Sequence, residues 1–233
     1  MWSIIIPAYN EASRIGAAIE SVKDYIRQRA IEAEIIVVND GSTDETVRMS
    51  EKHGDVIVIG SDMNHGKGWA VREGLKRARG EIMLFTDADV AAPMEEADRL
   101  FDAIKRGYDI AVGSRAAKPQ FVERFQPLHR LILGLAFGFV VRRLFAIDVK
   151  DTQCGFKMFT SKAAKMLAEL MTVDGYTFDV EMLVLAKRMG LKIAEVPVHW
   201  RDMPGSKIKV WRDFPLIFKE LVSMRRRLKK ISG

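Results

Sequence analysis

Trp2-Ser3-Ile4-Ile5-Ile6-Pro7-Ala8-Tyr9-Asn10-Glu11 decides the fold. An apolar run ended by proline reads as a short buried strand. Asn10-Glu11-Ala12-Ser13 then opens an amphipathic helix with Ile15, Ile19 and Val22 at helical spacing. The unit repeats at Glu34-Ile35-Ile36-Val37-Val38, which ends in Asn39-Asp40-Gly41-Ser42-Thr43-Asp44 and leads into a helix containing Thr46, Val47 and Met49. Apolar runs at 56–59, 82–85 and 109–112 follow, separated by helical stretches near 66–79 and 94–106. This alternation predicts an α/β fold with a mostly parallel sheet flanked by helices. Ligands of such sheets lie beyond the carboxyl ends of the strands. Four polar loops collect there: 7–11, 39–44, Thr86-Asp87-Ala88-Asp89 and Gly113-Ser114-Arg115.

The chain of 233 residues is 48% hydrophobic, enough for one sizeable core and too short for two full domains. With 29% charged residues and a mean hydropathy of -0.03, neither a disordered chain nor a polytopic membrane protein fits. Cys154 stands alone, so no internal disulfide forms, and Met1 leads straight into the apolar run without a basic signal-peptide start. The cytosolic side is therefore expected.

Beyond residue 115 the alternation fails. The apolar stretch Leu131 to Val141 makes about 16 Å of helix against about 30 Å of hydrocarbon and cannot span a bilayer. It reads equally as a core helix or as one lying in a membrane interface, anchored by Phe121, Phe125, Leu128, Phe137 and Phe139 beside Arg124, Arg130, Arg142 and Arg143. Residues 201–233 carry ten Lys/Arg against three Asp/Glu. There Trp211, Phe214, Leu216, Ile217, Phe218, Leu221 and Val222 precede Arg225-Arg226-Arg227, a pattern suited to anionic lipid and also to a solvated terminus or nucleic acid.

Asp87 and Asp89, directly after a strand, are spaced to reach one hard divalent cation and the phosphates it carries. A strand-end turn with Asp89 capping the helix near Pro93 is the structural alternative. Asp40, with Gly41 beside it, is set to accept hydrogen bonds from a base or ribose, and Tyr9 offers a stacking face. Other schemes fail on composition. There is no Gly-x4-Gly-Lys-Ser/Thr loop, no Gly-x-Gly-x-x-Gly fingerprint and no Gly-x-Ser-x-Gly elbow. The four histidines are scattered, and one cysteine builds no zinc cluster.

Ile5-Ile6-Pro7-Ala8-Tyr9-Asn10-Glu11, Val38-Asn39-Asp40-Gly41-Ser42-Thr43-Asp44, Asn64-x-Gly66-Lys67-Gly68, Thr86-Asp87-Ala88-Asp89 and Gly113-Ser114-Arg115 together resemble family 2 glycosyltransferases. The segments 151–157, 176–181 and 196–207 resemble the polyprenyl-phosphate branch, with Asp151-Thr152-Gln153-Cys154-Gly155-Phe156-Lys157 nearer the dolichyl-phosphate beta-glucosyltransferases than the mannose synthases. The resemblance implies a single GT-A (Rossmann-like) domain over residues 1–233, with a nucleotide-sugar half at 1–115 and an acceptor and membrane-interface half at 116–233 ending in amphipathic interfacial helices. It implies an inverting hexosyltransferase using UDP-glucose, or alternatively GDP-mannose, with polyprenyl or dolichyl phosphate as acceptor and Mg2+ or Mn2+ as cofactor. A GT-A enzyme with a non-lipid acceptor is a further alternative.

By resemblance, Pro7, Tyr9, Glu11, Val38, Asp40, Asp87, Ala88, Asp89, Arg115 and Lys207 bind the nucleotide sugar, with Asp87 and Asp89 on the metal. Asp89, Arg115, Asp151 and Lys207 carry the chemistry, and Arg124, Arg130 and Gln153 face the acceptor. Ala91 stands where mannose synthases often carry a metal-side glutamine. No N-terminal transmembrane anchor of the kind common in glucosyltransferases is seen, so contact with the cytoplasmic face is expected to be peripheral or through a membrane-protein partner. No nucleic-acid partner is expected. Asp179 and Glu181 fit either structural or site roles.

Overall fold

The structure, a computed structural model, describes residues 1–116, 128–201 and 210–230. Its sheet contains β1 (Trp2–Ala8), β2 (Ala33–Asp40), β3 (Val56–Ser61), β4 (Ile82–Thr86), β5 (Ile110–Ser114), β6 (Phe156–Thr160) and β7 (Ile193–Pro197) in the order β3-β2-β1-β4-β6-β5-β7. All pairings are parallel except those of β6, which runs antiparallel to both β4 and β5. The five expected strands are present. β6 and β7 come from the region where alternation fails, and β6 carries a lysine at its second position, so no clean apolar run announces it.

Helices α1 (Ile15–Arg29), α2 (Thr46–Glu51), α3 (Lys67–Arg77), α4 (Ala97–Lys105), α5 (Leu128–Phe145), α6 (Ser161–Leu170), α7 (Phe178–Arg188) and α8 (Val210–Lys230) complete the described elements. Strand periodicity sorts the core. Ile4 and Ile6 of β1 join one apolar cluster with Ile15, Ile19 and Val22 of α1 and Leu100 of α4. Ile5 points the other way, into a cluster with Val71 of α3, Leu167 of α6 and Leu183 of α7.

Two local expectations need correction. Pro7 does not stop the first strand, which runs on to Ala8 with Pro7 in register against Val38. Pairing with β4 has already ended at Ile5 against Phe85, so at Pro7 the strand has one neighbour, an edge-like place where a missing N–H is tolerated. Asn10 to Ser13 do not open α1 either. The helix begins at Ile15 without a side-chain cap. The polar groups turn instead to the second loop: Asn10 N–H donates to Ser42 Oγ (3.0 Å), Glu11 N–H to Thr46 Oγ1 (2.8 Å) and Thr43 N–H to Asn10 Oδ1 (2.8 Å).

In α8, Leu221, Met224 and Leu228 are buried in the protein's own core, while Arg225 and Arg226 are exposed. Those apolar positions are thus taken up by packing against this chain. In α5, Val141 is buried and Phe139 is 64% exposed. Among the described residues no helix is long and apolar enough to cross a membrane. Arg124, Phe121 and Phe125 lie outside the described residues, as do Lys207 and the side chains of Arg130, Trp211 and Phe214.

Candidate active site at the carboxyl edge of the sheet

The ends of β1, β2, β4 and β5 bring the polar loops to one edge, as parallel strand direction requires. Asp40 is buried, and its carboxylate accepts from Asn64 Nδ2 (3.0 Å), His65 N–H (2.7 Å) and Gly66 N–H (2.9 Å). Gly41 follows it at φ 72°, where a β-carbon would meet the Met63 carbonyl carbon at 2.4 Å. The acid is therefore a clamp on the loop entering α3. Tyr9 is exposed at the same edge, and the Glu11 carboxylate pairs with Arg14 at 2.7 Å. Val38 is buried in the core.

Asp87 and Asp89 stand just past β4. Asp89 caps no helix: its Oδ1 accepts the Ala91 N–H at 3.2 Å, and the 3-10 turn Met94–Glu96 has no side-chain cap. Burial, and then the charge of Asp87, raise the pKa of Asp89. Two neighbouring carboxylates, one of them with its ionisation disfavoured by burial and by the other's charge, make a hard-oxygen pair suited to a divalent cation. Among the described residues no cage of three or more His, Cys, Asp or Glu side chains is found.

The sequence reading missed the basic groups facing this pair. Lys67, the first residue of α3, lies 2.6 Å from Asp87 Oδ1. Burial would lower its pKa, but the charges of Asp87 and Asp179 outweigh this and raise it. Lys157 is fully buried and pairs with Asp179 while donating to the Cys154 carbonyl at 2.6 Å. Both ammoniums lie over the Phe85 ring, Lys67 Nζ 5.4 Å and Lys157 Nζ 5.8 Å from its centroid. Burial raises the pKa of Asp179 in spite of Lys157, so this acid is a buried partner to a lysine. Lys67 stood within a recognised motif; its only further signal was a cation where a helix N-terminus prefers an anion. Glu181 takes the structural role, accepting from Thr172 and Val173 N–H and pairing with Arg227.

On the far side, Arg115 and Asp151 form a two-pronged pair, with Nε to Oδ2 at 2.7 Å and Nη2 to Oδ1 at 2.8 Å. The guanidinium lies 5.0 Å from the Trp200 ring centroid. Burial opposes both charges, but each partner's field outweighs it, raising the pKa of Arg115 and lowering that of Asp151. Glu195 of β7, another residue the sequence did not flag, accepts from Ser114 Oγ (2.6 Å) and Asp151 N–H (3.0 Å). Gln153 reaches the Tyr176 carbonyl at 3.4 Å. The Cys154 thiol is buried and its pKa is pushed up to about 12, so it is inert packing.

A mostly parallel sheet with one antiparallel strand beside β4, and an acid pair at the end of β4, defines a GT-A glycosyltransferase. The fold agrees with solved structures: glucosyl-3-phosphoglycerate synthase from Mycobacterium tuberculosis in complex with uridine-diphosphate (TM-score 0.74, 20% identity, 97% of this chain and 80% of that one) and mannosyl-3-phosphoglycerate synthase from Rubrobacter xylanophilus (TM-score 0.75, 19% identity, 99% and 75%). The family model described as Glycosyl transferase family 2 matches residues 3–167, and the chain belongs to that family. Among its relatives are the dolichyl-phosphate beta-glucosyltransferases of Drosophila melanogaster, 40% identical over 224 residues (88% of this chain, 68% of that protein), and of Homo sapiens, 34% identical over 242 residues (97% and 75%).

Proposed function

We propose that this protein transfers glucose from UDP-glucose to a polyprenyl monophosphate of the dolichyl type, working peripherally at the cytoplasmic face of a membrane. The observation that carries the reading is the carboxylate pair Asp87 and Asp89 facing Lys67, and the curated relatives favour glucose and dolichyl phosphate. A divalent cation, Mg2+ or Mn2+, held by Asp87 and Asp89 would offset charge on the departing nucleoside diphosphate; one solved neighbour carries Mn2+ with uridine-diphosphate-glucose.

In this reading Tyr9 stacks on the base, and the Asp40 clamp shapes the nucleoside pocket together with Pro7, Glu11, Val38 and Ala88. Arg115, oriented by Asp151, and Lys207 steady phosphate charge, which matters most as the bond to the leaving group breaks. The acceptor phosphate has a second pKa of about 6 and is already largely ionised near neutral pH. A strong general base is therefore unnecessary, and the chain's task is to position two anions. Gln153, Arg124 and Arg130 belong to the acceptor side. Single displacement inverts the anomeric centre and gives a beta-linked product.

Release of nucleoside diphosphate from a panel of UDP- and GDP-sugars, with and without polyprenyl phosphate in detergent, tests this. Acceptor-dependent release from UDP-glucose is expected. Release from GDP-mannose alone would replace glucose by mannose. Donor binding without acceptor-dependent release points to a non-lipid acceptor or a missing membrane-protein partner.

A further inference from the structure

We propose that Lys67 is a resident counter-cation: it occupies Asp87 before a divalent cation binds, and is displaced onto the donor's diphosphate when cation and donor arrive together. The proposal rests on the metal and diphosphate reading above. Lys67 Nζ lies 2.6 Å from Asp87 Oδ1 and takes a sector of the carboxylate that a metal would use. The lysine is the first residue of α3, where the helix dipole disfavours a cation, and the first turn holds no acidic residue. Its compensation comes from across the site, from Asp87 in direct contact and from the charge of Asp179 behind it.

The surroundings fix which partner moves. Asp87 is seated against the backbone of Gly155, its Oδ2 lying 1.9 Å from where a β-carbon on that residue would sit. The backbone at Lys67 is held on both sides, by the Gly66 N–H on Asp40 (2.9 Å) and the Gly68 N–H on the Asp174 carbonyl (2.8 Å). What remains free to turn is the four-carbon stem of Lys67. Displaced from Asp87, the ammonium stays at a helix N-terminus, a place that itself favours phosphate. Metal binding without donor takes this ammonium's contacting partner away, whereas metal binding with donor gives it a new one. The two ligands are thereby coupled, and the coupling acts in both directions.

The test compares Mn2+ binding, followed by the electron paramagnetic resonance of free Mn2+, in wild type and Lys67→Met, each with and without UDP. In wild type, UDP should tighten Mn2+ at least about fivefold. In Lys67→Met, Mn2+ alone should bind several-fold tighter than in wild type, and the UDP effect should be several-fold smaller than in wild type, the remainder coming from the diphosphate oxygens that ligate the metal directly. Equal or weaker Mn2+ binding by a folded Lys67→Met protein overturns the proposal. If that variant does not fold, Lys67→Gln takes its place. The wild-type 15N-lysine spectrum gives a second readout: the Lys67 Nζ signal should move when Mg2+ and UDP are added together, and an unmoved signal also overturns the proposal. Asp89→Asn separates the levels. If Mn2+ binding with UDP survives that change, the metal reading itself fails and the proposal with it; if it is lost while Lys67→Met behaves as wild type, only the Lys67 proposal fails.

Discussion

Oδ2 of Asp87 lies 1.9 Å from the position a β-carbon would take on Gly155, so the carboxylate rests directly against the backbone of the strand-β6 entry. Any side chain at 155 must push Asp87 out of place. Gly155→Ala is expected to abolish metal-dependent nucleotide binding while costing only about 1–3 kcal/mol of stability, the range for local overpacking. Calorimetric titration of UDP with Mn2+, beside a urea melt, checks both halves. Retained binding with a normal melt would remove Gly155 as the reason Asp87 stands where it does.

Arg115 and Asp151 should behave as a structural unit as well as a site. Asp151→Asn leaves a largely enclosed guanidinium without its counter-charge and is expected to cost about 3 kcal/mol, the low end for a broken buried pair because Arg115 keeps some exposure. The pH dependence follows from the lowered folded-state pKa of Asp151. Its contribution is present in full above the unfolded carboxylate value of about 3.9 and is lost as pH falls through the folded value. Acid unfolding of Asp151→Asn should therefore show a flatter stability loss below pH 4 than wild type, and superimposable curves would contradict the pair's role.

Glu181 ties α8 to the loop before α7. The buried carboxylate accepts from Thr172 N–H (2.9 Å), Thr172 Oγ1 (3.0 Å) and Val173 N–H (2.8 Å), besides Arg227. Removing it orphans several donors at once, so Glu181→Ala should cost about 3 kcal/mol. Arg227→Ala leaves the other bonds intact and should cost about half as much. Chemical denaturation of the two variants gives the order directly.

Among the described side chains of α8, Arg225 and Arg226 form an exposed basic pair suited to the proposed contact with anionic lipid. At about 1 kcal/mol per basic residue near a charged surface, replacing both with alanine should weaken binding to phosphatidylserine vesicles about tenfold or more at low salt. The thermal midpoint should not move, since neither side chain is buried. Co-sedimentation with vesicles measures the effect, and unchanged binding would move the membrane contact off this helix.

Much of the first half of the chain was legible because its signals are local. Alternating strand and helix patterns follow from backbone geometry, and parallel direction alone carries the loops after β1, β2, β4 and β5 to one edge. Tyr9, Asp40, Asp87, Asp89 and Arg115 could thus be named from their place in the chain. The second half resisted because β6 is interrupted by Lys157 and does not read as a strand until β4 and β5 close around it.

What the sequence by itself determined was the order of elements up to residue 115, the edge on which the candidate site lies and the acids placed there, since each depends on periodicity and strand direction within a few residues. Tertiary structure alone decided the partners. Asp40 is bonded to Gly66, Asp87 to Lys67, Asp151 to Arg115, Asp179 to Lys157 and Glu181 to Arg227, residues separated by between 20 and 46 positions in the chain. Such pairs form because each charge, once enclosed, must find an opposite charge or a fixed dipole, and which one it meets depends on how the layers pack.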